Sequence, residues 1–185
     1  MRKSLGKKPI IYPMPVLIIS AYDEEGVPNA MNAAWGTICD TNKIAIVLSY
    51  DHKTVQNILS KKEFTVSIAD KDNVIPADYV GIVSGNNEPD KMKKTGWSIV
   101  KSDIIDAPII ENLPLTLECR LDGYDRETEI MIGEIINISA DEKILTDGKI
   151  DLSKFYPICY DPANYKYLTL GSEVGNAFSD GKKLK

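Results

Sequence analysis

Apolar and polar positions alternate in short runs along most of the chain. Residues 16–21 form an apolar, β-branched run. Asp23-Glu24-Glu25-Gly26 then supplies turn chemistry, with Gly26 free to adopt positive φ. A second extended segment is expected over residues 29–35, and residues 44–48 are another apolar run of strand length. The period then changes. Val55, Ile58 and Leu59 recur at helical spacing behind Thr54, which predicts a helix with Thr54 as its cap. Residues 64–68 return to strand. Residues 73–83 and 89–94 predict short helices, Pro89 being suited to a first helical position. In the second half Leu115, Leu117, Cys119 and Leu121 alternate with Thr116, Glu118, Arg120 and Asp122, the pattern of a half-buried strand. Ile130, Ile132, Ile136 and Ile138 form a similar face, interrupted by Glu134. Asp147-Gly148 marks a turn, and Asp161-Pro162, Gly171 and Gly175 divide the tail into short pieces.

Short strands with brief helices between them predict a mainly β fold (α+β): a barrel-like antiparallel sheet with decorating helices. No internal repeat or linker-like stretch divides it, so a single domain over residues 1–185 is expected. A GxGxxG turn is absent, so the usual dinucleotide-binding site is not supported. Composition leaves this picture in place, with 43% hydrophobic and 26% charged residues. Arg2, Lys3, Lys7 and Lys8 at one end, and Lys182, Lys183 and Lys185 at the other, form short basic tails. The net charge of −5 argues against nucleic acid as a partner but is compatible with a local basic spot for one phosphate. The longest apolar run near the start is too short to span a bilayer and lacks the h-region and cleavage site of a signal peptide. A cytoplasmic protein without membrane attachment is expected. Cys39, Cys119 and Cys159 are odd in number and widely separated, with no metal-ligand spacing. They read as reduced thiols and not as a metal site.

Candidate chemistry concentrates in Ser49-Tyr50-Asp51-His52-Lys53-Thr54, between a strand and a helix. This places hydroxyls, a lysine, a histidine and free helix amides together, the ingredients of an anion site. The same residues also suit an ordinary strand-to-helix loop, with Thr54 as cap and Lys53 solvated.

The flanking sequence adds a resemblance. Pro13-Met14-Pro15-Val16, the turn through Gly26, then Asn29-Ala30-Met31-Asn32-Ala33-Ala34-Trp35, and finally Ser49 to Thr54 are similar, in order and spacing, to the flavin reductase-like family of FMN-binding split barrels, including flavoredoxins. Asp90-Lys91 with Gly96 is similar to another element of that family. So are Leu117-Glu118-Cys119, Ile132-Gly133-Glu134-Ile135, Tyr165-Lys166-Tyr167-Leu168-Thr169-Leu170-Gly171, and the segment from Val174 to Lys182. Each motif is short, but their colinearity covers nearly the whole chain.

The resemblance implies an antiparallel split β-barrel that binds FMN. The phosphate would meet Ser49, His52, Lys53 and Thr54, with Lys91 nearby, and the ring would run beside backbone amides from Asn29 through Met31 to Trp35. Small Ala33 and Ala34 would permit close approach, and Asn29 and Asn32 would add side-chain contacts. Hydride from NADH or NADPH would reduce the flavin, which would pass reducing equivalents to a flavin, metal or protein acceptor. The alternative is an electron carrier without nicotinamide turnover. A homodimer is implied, with FMN near the interface and partly covered by the partner's C-terminal segment. Two positions depart from the family pattern: Asn32 stands where Thr or Ser is common, and Thr128 where many members carry a histidine. Cys119 and Trp97 read as packing residues. Glu134 suits a flavin pocket, a strand end or a subunit interface. Tyr156, Tyr160, Tyr165 and Tyr167 suit a dimer surface or barrel packing.

Overall fold

The computed structural model describes residues 1–185. Its strands, in chain order, begin with β1 (Met14–Pro15), β2 (Leu17–Tyr22), β3 (Pro28–Ala33), β4 (Gly36–Asp40) and β5 (Lys43–Val47). Helix α1 (Lys53–Lys61) precedes β6 (Glu63–Ile68), and α2 (Val74–Ile82) and α3 (Lys91–Lys94) follow. Then come β7 (Ile99–Lys101), β8 (Pro108–Ile110), β9 (Leu115–Tyr124) and β10 (Ile130–Ala140). The short strands β11 (Leu145–Thr146), β12 (Lys149–Ile150), β13 (Ile158–Asp161) and β14 (Lys166–Thr169) complete the set.

Seven strands form the main antiparallel sheet in the order β3-β2-β6-β9-β10-β5-β4. The two edge strands are consecutive in sequence, joined by Ala34 and Trp35, so the sheet curls and its edges are linked at one corner without pairing. Gly36 marks the closure: a Cβ there would lie 2.7 Å from Leu17 Cδ1 of β2. The result is a split barrel.

Its interior follows from period-two patterning. Leu17, Ile19, Ala21, Met31, Ala33, Ile44, Ile46, Phe64, Val66, Leu117, Cys119 and Met131 point inward, and Val55 and Ile58 of α1 join the same core. Gly133 is required by that core, because a Cβ there would lie 2.5 Å from Phe64 Cζ. The outer face of β2 and β3, with Ile18, Ala30 and the preceding Val16, is covered by Ala77, Val80, Met92, Trp97, Ile110 and Ile158.

Several sequence expectations change. The first helix is capped at His52, not Thr54, whose hydroxyl is engaged elsewhere. A 3-10 turn over Lys71–Asn73, capped by Asp70, precedes α2. The third helix starts at Lys91, since the Glu88 carboxylate accepts from Asp90 N and holds Pro89 in a turn. Strand β9 is not half-buried over its first half. Thr116 and Glu118 are as buried as Leu117 and Cys119, because the chain between β6 and β9 packs over the sheet's outer face. Glu118 accepts there from Ser102 Oγ and, at 2.8 Å, from Asn137 Nδ2. No helix is long and apolar enough to cross a membrane.

Candidate functional site

The amino end of α1 is open. His52 holds extended backbone angles and makes no side-chain cap bond, and the first turn has no acidic residue. The first helical bond runs from Gln56 N to His52 O at 3.1 Å, so the N–H groups of Lys53, Thr54 and Val55 find no acceptor within the chain. Together with the helix dipole, three such donors make a site for negative charge.

Lys53 and Thr54, with Asp51 and His52 before them, line a cleft of about 230 Å³. One wall is β3, through Asn29 and Met31. The other is the end of α2 and the loop after it, from Val80 to Gly85. The cleft is braced on both sides. Asn29 Nδ2 donates to Thr54 Oγ1 at 2.6 Å, and Asn86 Nδ2 donates to Asp51 O at 3.1 Å. Gly81 and Gly85 allow the loop's close approach, since a Cβ at Gly85 would lie 2.3 Å from Asn29 Oδ1.

Lys91 enters the same cleft from α3. It is 3% exposed, and no hydrogen bond or ion pair engages its ammonium group. Burial brings its pKa down to about 8. His52 is also pushed down, first by burial and then by the Lys91 charge, with Glu129 and Asp51 opposing. Lys53 leans toward the turn between β2 and β3, where its Nζ lies 3.4 Å from Asp23 Oδ2. A buried cation without a counter-charge is expensive unless an anion meets it. The donor set therefore fits a phosphate group.

At the other end of β3 lies a second hollow of about 350 Å³, walled by Trp35, Tyr160, Pro162, Ala163 and Tyr165, with residues 8–10 along one side. Trp35 is 54% exposed and Tyr165 is 83% exposed. Tyr160 instead packs against Tyr167, whose O–H donates to Asp78 at 2.7 Å. Tyr156 lies under Lys71. Between the two hollows runs β3, whose outer edge pairs with no strand. From Asn29 to Trp35 that edge spans at most roughly 20 Å at the usual rise per residue.

The sequence candidates thus divide. Asn29, Met31, His52, Lys53, Thr54 and Lys91 converge on the first cleft, and Trp35 lines the second. Ala33 faces the barrel core, and Ala34 is half-buried at the crossing from β3 to β4. Asn32 Nδ2 donates to Ala77 O at 3.0 Å, so its side chain fastens α2 to β3. Ser49 Oγ donates to Glu129 Oε1 at 2.7 Å, leaving no hydrogen for an anion. Thr128 lies in the β9–β10 loop, where its N–H approaches Asp125 Oδ1 at 3.5 Å. Sequence reasoning missed the wall at residues 80–85, Asn86, Glu129 and Lys8. The small residues Gly81, Ser84 and Gly85 were the available signal for the wall.

The model of the flavin reductase like domain matches residues 10–169. The chain belongs to this family. Among solved structures of similar fold, flavoredoxin of Desulfovibrio vulgaris (Miyazaki F) is 36% identical with a TM-score of 0.93, the match covering 98% of this chain and 100% of that one. Flavoredoxin from Methanosarcina acetivorans is 27% identical with a TM-score of 0.90, over 100% of both chains. An FMN-binding domain of a flavin reductases-like enzyme from Shewanella baltica OS155 shares the fold at 21% identity and a TM-score of 0.80, over 88% of each chain. In this flavin reductase-like chain the family match spans the first cleft, β3, and the lining of the second hollow apart from Lys8 and Pro9.

Proposed function

We propose that residues 1–185 form one FMN-binding unit that passes reducing equivalents from NADH or NADPH to a flavin, metal or protein acceptor. The phosphate sits among the free N–H groups of residues 53–55, the Thr54 hydroxyl and Lys91. The ring system lies along the outer edge of β3 toward Trp35. One observation carries the reading: a buried, unpartnered lysine and three orphan amides open at one end of an unpaired edge strand, and an aromatic hollow lies at the other. The family match and the flavoredoxin likeness support the same cofactor.

When bound, FMN supplies hydride and electron transfer itself. The chain's residues bind, orient and shield it. Lys91, the α1 dipole and Thr54 hold the dianionic phosphate. Asn29, fixed by Thr54, and the β3 backbone present donors and acceptors to the ring edge. Trp35 and Tyr165 supply apolar area, and their exposure supports a homodimer in which a second copy covers the ring, in a protein of the cytoplasm. Purified protein lacking flavin absorbance, and gaining none on FMN addition, would sink this reading.

A second reading, an electron carrier without nicotinamide turnover, is favoured by Thr128 at the position where many relatives carry a histidine. Anaerobic titration of the flavin-loaded protein with NADH and NADPH separates the two. Rapid bleaching supports the reductase; inertness with reduction by a protein donor supports the carrier.

A further inference from the structure

The loop between β9 and β10 reaches across to the segment that leads into α1. Glu129 sits there with φ 58, a left-handed backbone that a residue bearing a side chain adopts only against a steric penalty. Such a conformation persists where its surroundings over-determine it, and here they do. Glu129 O accepts from Leu48 N at 2.9 Å, while Glu129 Oε1 accepts from Ser49 Oγ at 2.7 Å and from Tyr50 N at 3.3 Å. Neighbouring groups complete the clamp. Tyr124 O–H donates to Leu48 O at 2.8 Å, Gln56 Nε2 donates to Tyr50 O at 2.5 Å, and the Arg126 guanidinium lies 3.7 Å over the Tyr50 ring. His52 N then donates to Ser49 O at 3.2 Å. The turn that presents the free amides of α1 is therefore held from a hairpin 80 positions away in sequence.

On charge alone the arrangement is unfavourable, since a carboxylate lies close enough to His52 to influence its titration, at the rim of a site built for an anion. Geometry supplies the reason for its presence. We propose that Glu129 is a positioning residue of the anion site: its carboxylate fixes Ser49 and Tyr50, and through them aims the amino end of α1 at a phosphate group. Ser49 is then a strut and not a ligand. The inference rests on the FMN reading and assigns a role to a residue outside the cleft lining.

The test compares FMN with riboflavin, which lacks the phosphate, by fluorescence titration of the parent protein and of Glu129→Ala, Glu129→Gly and Glu129→Gln. Coulomb's law and positioning predict opposite signs. Removing a nearby negative charge tightens phosphate binding, whereas losing the clamp loosens it. We expect Glu129→Ala and Glu129→Gly to bind FMN about tenfold or more weakly, with riboflavin affinity changed less than about twofold. Glu129→Gln keeps an acceptor oxygen and should stay within about threefold of the parent. Glu129→Gly also relieves the positive φ, so a melting temperature at or above that of Glu129→Ala separates loss of binding from loss of fold. FMN affinity unchanged or tighter in Glu129→Ala and Glu129→Gly overturns the proposal, as does Glu129→Gln binding as weakly as Glu129→Ala. A parent protein that binds neither flavin overturns the FMN reading instead, and the inference with it.

Discussion

Asn29 and Thr54, 25 positions apart, meet through a 2.6 Å hydrogen bond from Asn29 Nδ2 to Thr54 Oγ1, with both residues buried. The bond joins edge strand β3 to the first turn of α1, so one wall of the cleft and the open helix start move as one piece. Because the Thr54 oxygen accepts from Asn29, its own hydrogen is free to donate to a ligand. Thr54→Val keeps the shape but leaves the Asn29 amide buried without its acceptor. The expected cost is about 1–3 kcal/mol. For a chain of this size that lowers the melting temperature by roughly 2–4 °C per kcal/mol. Thr54→Ser should restore both stability and FMN affinity. A Thr54→Val protein that melts with the parent and binds FMN equally well would remove this bond from the account.

Lys91 gives a prediction in which stability and binding move apart. Lys91 is a buried residue whose ammonium group meets the cleft without a counter-charge, so Lys91→Met keeps the apolar stem and removes an uncompensated cation. The melting temperature of the flavin-free protein should stay level or rise. FMN affinity should fall about 10- to 100-fold, the worth of one charge-assisted contact. Riboflavin affinity should hardly change. Equal losses for both flavins would place Lys91 against the ring and not the phosphate.

The same lysine sets a pH dependence. In the flavin-free protein burial lowers the Lys91 pKa from the ordinary 10.5 to about 8, and a bound phosphate favours the charged form and raises it again. The FMN phosphate is already a dianion above pH ~6. Below pH 8 Lys91 is protonated before binding and affinity is flat. Above pH 8 binding must take up a proton, so affinity falls as pH rises, by at most about tenfold per unit. Titrations between pH 7 and about 9.5 check this, and Lys91→Met should be flat over the same range. A parent profile as flat as the variant's would contradict the role.

How much of this was legible in the sequence depends on whether a residue acts locally. Residues 16–21 read directly as a strand because they are an apolar run. With both faces apolar, the pattern did not say that Leu17, Ile19 and Ala21 face the barrel while Val16 and Ile18 face outward. The open helix start at residues 52–55 was visible as a strand-to-helix junction, although its cap was misplaced by two positions. The strand pattern gave a barrel-like sheet; the family motifs narrowed it to a split barrel and supplied Lys91, which no local pattern would have tied to Thr54. What could not be read was long-range. Thr116 and Glu118 look like solvent-facing positions and are buried because the chain between β6 and β9 covers them. Ser49 looks like a phosphate donor and is bonded to Glu129 by a hairpin whose course only the fold reveals. Gly133 matched a family motif, but the reason for it, the Phe64 ring beneath, appears only when β6 and β10 are folded around one core.

Gly85 offers the sharpest test of how the cleft wall is held. Its backbone is not in the left-handed region, so alanine is acceptable conformationally and the obstacle is space. A Cβ there would lie 2.3 Å from Asn29 Oδ1 and 2.9 Å from Asn29 Cγ. Asn29 cannot swing aside without breaking its bond to Thr54, so either that bond or the position of residues 83–85 must yield. Gly85→Ala should therefore destabilise the protein by about 1–3 kcal/mol, the usual cost of overpacking. It should also weaken FMN binding by about tenfold through the displaced wall. The double variant isolates the cause. With Asn29→Ala the obstructing amide is gone, and adding Gly85→Ala should then cost little, giving a coupling of at least about 1 kcal/mol in a double-mutant cycle. Additive effects in that cycle would show that Gly85 serves the loop's own conformation and that Asn29 is not its steric partner.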